Sequence, residues 1–178
     1  MEYLRVLPYH NLTRWIVLLA ALWTLIQAWH GLFYRRKWSR SDKLAGLTFT
    51  SVANVQFLIG LTLYVISPNI KPLLGAPAYP FSNKMAFFLT IYHPAVMFIA
   101  VGLAQAVYSV AKRVVDDRKK FRWAAYGYSL AVVLMIAAIP WPSYSFGRPW
   151  FRPFVRYVDP TVEADGFIYT RIIHQRLP

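Results

Sequence analysis

The sequence predicts an all-α membrane protein: a bundle of four transmembrane helices over residues 1–142, followed by an extended, mostly irregular C-terminal tail over 143–178. Three observations carry this reading. The chain is 57% hydrophobic with seven Trp among 178 residues, more apolar than a single soluble domain of this length ordinarily is. Its charges are clustered, which leaves four long stretches nearly free of them, at 12–33, 44–66, 85–111 and 123–140. Each is close to the ~20 residues that cross a hydrocarbon core at about 1.5 Å per residue. Finally, none of the four carries the consistent charged face that a helix of a soluble bundle would turn to water.

The first stretch holds Arg14 at its outer edge, where a long side chain reaches the surface. A cleaved signal would have its cations before the apolar run and a small-residue site after it. Here the run is followed by Arg35, Arg36 and Lys37, so it reads as a retained helix. The first connection also carries Arg40 and Lys43 against Asp42. The third carries Lys112, Arg113, Arg118, Lys119, Lys120 and Arg122 against Asp116 and Asp117. The middle connection, 67–84, has only Lys71 and Lys84, and its Pro68, Pro72, Pro77 and Pro80 exclude a helix or a central strand.

Short basic loops stay cytoplasmic. The expected location is therefore a bacterial inner membrane, with both termini and the middle loop on the periplasmic side. Trp15, Trp38, Trp123 and Trp141 fall near the expected interfaces. The net charge of +13 suggests nucleic acid at first sight, but the excess flanks the spans. The partners expected are the bilayer and other subunits of a membrane complex, not nucleic acid. With no Cys there is no disulfide and no thiolate metal site.

Inside the spans there is no carboxylate and no Lys, which argues against a proton- or ion-coupled transporter. The polar residues left are Gln27, Asn54, Gln56, His93 and Gln105. Counted from the span ends, Asn54 and His93 lie about 14 Å and 12 Å deep from opposite sides. That makes a hydrogen bond between them plausible. Pro94 frees the carbonyl of Thr90, and a kink beside a buried histidine suits a haem or quinone headgroup as well as simple packing. Small-residue pairs at four-residue spacing, Gly102/Ala106 and Gly127/Ala131, would let helices approach closely.

Candidate cofactor-binding residues are thus His93, His10 and Asn54, for haem b or a quinone. Two axial histidines must sit at equal depth. His10 is read at the outer edge of the first span, His30 near the inner edge and His93 at mid-depth, with His174 in the tail. No pair matches without a slide of about two turns, ~11 Å. Bis-histidine ligation is therefore the less expected arrangement, and a single-histidine or quinone site the less constrained one. There is no nucleophile with its base, no phosphate loop and no metal-ligand spacing, so the chain is expected to be non-catalytic.

Several segments resemble a family of short bacterial four-helix membrane proteins known only as cytochrome b-like. They are Tyr9-His10-Asn11-Leu12-Thr13-Arg14-Trp15, Asn54-Val55-Gln56-Phe57-Leu58-Ile59-Gly60-Leu61, Tyr92-His93-Pro94-Ala95-Val96-Met97 and Ala138-Ile139-Pro140-Trp141-Pro142. The resemblance covers about residues 9–142. It implies a histidine in the second helix, where this chain has Asn54. By the same analogy, similar small helical proteins are extra subunits of respiratory and photosynthetic complexes, including the alternative complex III type. The resulting expectation is an accessory subunit of an electron-transfer complex, with a haem- or quinone-binding redox protein as the alternative.

The tail interleaves Arg148, Arg152 and Arg156 with Trp150, Phe151, Phe154 and Tyr157, between Pro149 and Pro153. The prolines exclude a continuous helix. Arg and aromatic residues are those enriched in interfaces, so these seven are the candidate partner-binding residues, with the membrane surface as the competing location.

Overall fold

A computed structural model describes residues 2–68, 70, 81, 83–144 and 147–152. The described chain is helical, without strands. Its long helices are α1 (Glu2–Phe33), α2 (Arg40–Ile66), α3 (Lys84–Arg113) and α4 (Asp117–Ala137). Short connections at 34–39 and 114–116 make the first and last pairs antiparallel neighbours. Each helix packs mainly on the next and α4 returns to α1, so α1 and α3 face each other across the diagonal of a closed four-helix bundle.

Three helices, α1, α2 and α3, are long and apolar enough to cross a membrane. The fourth is 21 residues long but opens with Asp117, Arg118, Lys119, Lys120 and Arg122. Its apolar part, from Trp123, is about 22 Å long at 1.5 Å per residue, shorter than a ~30 Å core. Helix α1 runs the other way, starting ten residues before the apolar run. Hydropathy does not register this extension, because Glu2 and Arg5 interrupt it. A helix nonetheless continues through them, with Glu2 favourably placed in its first turn.

The core is built from small residues. Ala20, Ala21 and Ala28 of α1, Ala100 and Ala104 of α3, and Ala124, Ala125 and Ala131 of α4 are all buried. Such residues let helix backbones approach closely. A Cβ added at Gly31 would lie 2.0 Å from the Phe121 ring, and one at Gly127 2.3 Å from Val107 Cγ2. The expected Gly127/Ala131 pair is therefore at an interface. Gly102/Ala106 is not: both residues are exposed, because α3 buries the stripe Ala100, Ala104, Val107 and Ala111 instead.

Polar ties are few and specific. The Thr24 hydroxyl donates to the Ala45 carbonyl (2.9 Å), and Trp29 Nε1 donates to Ser129 Oγ (3.1 Å). At the end carrying the short connections, Ser39 and Asp42 form a capping box. Arg36 pairs with the buried Asp42 carboxylate at 2.9 Å.

At the opposite end, residues 138–144 and 147–152 form a strap that folds back over α1. The Arg148 backbone N–H donates to Pro140 O (3.0 Å). Asn11 Nδ2 donates to Pro149 O (3.3 Å), while Arg14 and Trp15 Nε1 both donate to Trp150 O, at 2.8 and 3.2 Å. The Trp15 ring stacks on Trp150 and Phe151. The described residues at the start of the tail lie on their own bundle. Phe154, Arg156, Tyr157 and His174, like Pro72, Pro77 and Pro80 of the middle connection, fall outside the described residues.

Two outcomes follow for stability in detergent. Gly127→Leu, which forces α3 from α4, should lower the unfolding free energy by about 1–3 kcal/mol. Asp42→Ala removes a cap and strands Arg36, and should lower it by about 2–4 kcal/mol. Denaturant titration followed by circular dichroism measures both, and wild-type midpoints would contradict this packing.

Candidate functional site

The cavity at the strap end, about 510 Å³, is lined by all four helices or their extensions and by the strap. This size falls within the ~300–1,000 Å³ range of small-molecule and cofactor sites. Its walls are mostly apolar, among them Leu7, Leu18, Phe57, Met97 and Met135. Into it project two imidazoles from diagonally opposed helices, His10 of α1 and His93 of α3. Their ring centroids are 6.3 Å apart and their planes 79° from parallel.

This meeting corrects the depth expected from hydropathy. His10 lies eight residues into α1 and His93 nine residues into α3, about 12 and 14 Å from their helix ends at 1.5 Å per residue. Because α1 begins at Glu2 rather than Leu12, no slide of two turns is needed.

Each histidine is held by its surroundings. Where α4 ends, the Ala138 carbonyl is free to accept, and His93 Nδ1–H donates to it at 2.7 Å. A carbonyl only accepts, so this bond fixes the tautomer and leaves a lone pair on Nε2. On α1, the His10 carbonyl accepts from Gln56 Nε2 at 2.9 Å, and the Gln56 side-chain oxygen accepts from Thr13. These two bonds set α1 against α2. Among the described residues, His10 Nδ1 is buried with no hydrogen-bond partner. Gly60 makes room for this ring: a Cβ there would sit 3.1 Å from His10 Cε1.

The backbone before His93 is unusual. Residues Phe88–Tyr92 form a π-turn, a feature frequent at functional sites. The carbonyl freed by Pro94 is that of Thr90, and Tyr64 OH donates to it at 3.0 Å. A side chain of α2 thus satisfies the gap in the α3 ladder, next to His93.

Asn54 is half-buried and does not line the cavity. The α2 face that does so carries Ala53, Gln56, Phe57 and Gly60, at i, i+3, i+4 and i+7. Asn54 is rotated off that face, and no hydrogen bond joins it to His93. Gln56 and Gly60 take the α2 positions beside the histidines. Of the tail candidates, Arg148 and Arg152 line the cavity with Arg14, whereas Trp150 and Phe151 stack on Trp15 beside it. His30 lies at the other end, against Tyr34.

Among the described residues no three of His, Cys, Asp or Glu gather as metal ligands. Two imidazoles alone make an incomplete protein-only metal site, since such sites take about three or four protein ligands. A metal between them would need its remaining positions filled by a ligand that arrives with it. No protein-family model, curated protein or solved structure matches the chain.

Tyr64→Phe should leave the Thr90 carbonyl unpaired and lower stability by about 1–3 kcal/mol. Thermal unfolding in the same detergent measures this, and an unchanged midpoint would mean that the hydroxyl does not support the turn.

Proposed function

We propose that the chain is a membrane-embedded redox protein that binds a b-type haem between His10 and His93. The observation that carries this reading is the 6.3 Å separation of the two rings across the bundle diagonal. Two imidazole nitrogens, each about 2 Å from one metal, put the ring centroids roughly 6 Å apart. A porphyrin supplies the four ligands that the protein lacks, and haem iron bound by histidines exchanges single electrons.

The chain's own residues have distinct tasks. Ala138 O orients His93 so that Nε2 faces away with its lone pair, as the outer partners of metal-bound histidines do. Gln56 holds the turn of α1 that carries His10. The apolar walls would keep water from a bound haem. The same tautomer argues against an oxidised quinone as the occupant, because a quinone carbonyl needs a donor and Nε2 offers an acceptor.

In this reading α4 completes the crossing as a fourth span. The basic connections face the cytoplasm of a bacterial cell and the strap end faces the periplasm. Trp150 and Phe151 are 51% and 68% exposed beside the cavity, a placement that supports docking on other subunits of a respiratory or photosynthetic complex. The chain then carries or structurally supports electron transfer and catalyses no reaction alone.

Reduced protein, purified or reconstituted with haem, should show a Soret band and a sharp α-band. His10→Ala and His93→Ala should each weaken binding by at least tenfold, and Asn54→Ala should leave it unchanged. A wild-type protein that takes up no haem would sink the proposal.

A further inference from the structure

The two ends of the bundle carry different belts, and their spacing sets the level of the site. At the end with the short connections the belt is basic, with Arg35, Arg36, Lys37, Lys43, Lys112 and Arg113. At the strap end it is aromatic. The Trp15 and Trp141 rings both lie against Trp150, at 5.9 and 5.4 Å. The Arg14 guanidinium sits 5.2 Å from the Trp15 ring centre and 6.0 Å from that of Trp141. Tryptophan gathers at membrane–water interfaces, and arginine snorkels to them.

On three helices the belts stand one hydrocarbon thickness apart. Trp15 is 18 residues from Phe33 on α1, Tyr64 is 21 from Lys43 on α2, and Tyr92 is 21 from Arg113 on α3. At 1.5 Å per residue these spans are about 27, 32 and 32 Å, against a core of ~30 Å. His10 lies five residues beyond Trp15, and His93 lies one residue inside Tyr92. The two imidazoles therefore meet at the level of the aromatic belt, with about 30 Å of bundle between them and the basic end.

That length of bundle offers no relay. Its core is largely alanine, closed where Phe121 fills the space at Gly31 and Val107 the space at Gly127. Among the described residues His30 is the one other histidine, and it packs on Tyr34 at the basic end.

We propose that the site is one-sided: it lies at the outer boundary of the membrane, and electrons enter and leave it only on the strap face. This rests on the haem reading and gives it a place in a reaction sequence. A one-electron carrier on the strap side is oxidised as the bound ferric haem is reduced, and a second carrier on that side is reduced as the haem returns to the ferric form. Electron transfer falls off steeply with distance, so passage to the basic face needs a further redox centre held by another subunit.

The chain has no Cys, so single cysteines can be labelled selectively. The level is read without haem, from nitroxides on Tyr9→Cys and Leu19→Cys, two exposed positions of α1, in phospholipid vesicles. A water-soluble nickel chelate should relax the label at position 9 strongly, and dissolved oxygen the label at position 19. Equal shielding of both labels from nickel overturns the placement. For sidedness, reduced, haem-loaded Val115→Cys protein is reconstituted, Val115 being 91% exposed at the basic end. An impermeant maleimide counts the molecules whose basic end faces out. External ferricyanide should oxidise only the others, and detergent should expose the remainder to it. Oxidation of both populations in sealed vesicles overturns one-sided exchange and leaves the histidine ligation standing. No Soret band overturns the haem reading, and the nitroxides then still decide whether the site lies at the boundary.

Discussion

The end of α4 leaves the Ala138 carbonyl without a helical donor, as every helix end leaves its last carbonyls. His93 supplies that donor at 2.7 Å, and much of the site depends on this bond. It ties α3 to the point where α4 gives way to the strap. It also fixes which imidazole nitrogen is protonated, and so gives the other a lone pair. The π-turn before His93 and the Tyr64 hydroxyl on the Thr90 carbonyl hold the same segment from the other side. In a medium without water, each of these backbone groups needs a protein partner, and here their partners define the site.

The rest of the bundle lets two diagonal helices meet. In a square of four helices, opposite members are normally kept apart by the side chains between them. Here the shared core is largely alanine, and glycines stand where Phe121 and Val107 press in. Toward the strap end α4 stops, the others continue, and space opens that the cavity occupies. Close packing at one end and an opening at the other are consequences of unequal helix lengths. The strap covers the opening, fastened by three hydrogen bonds to carbonyls of Pro149 and Trp150.

Much of this was legible in the sequence. The four helices follow from the spacing of charges. The freed Thr90 carbonyl follows from Pro94, and His10 and His93 stand out as the candidate ligands. Their proximity was not legible, because hydropathy marks where a helix is apolar rather than where it begins. The extension of α1 from Leu12 back to Glu2 carries charge at Glu2 and Arg5. Asn54 drew attention as a mid-span amide, but its angular position on α2 gives Gln56 and Gly60 the places beside the histidines. The shortness of α4's apolar part hides in a sequence whose basic residues also serve as a loop signal. That the strap docks on its own α1 depends on contacts between residues more than 130 positions apart, which no local pattern encodes.

The central claim is that His10 and His93 face a single metal. Electron paramagnetic resonance of the oxidised, haem-loaded protein tests it most directly, because it reports the number and kind of axial ligands. The account predicts a low-spin ferric signal of a six-coordinate, bis-imidazole iron that turns high-spin in His93→Ala. A high-spin signal in the wild type, or a low-spin signal that survives loss of either histidine, would contradict it.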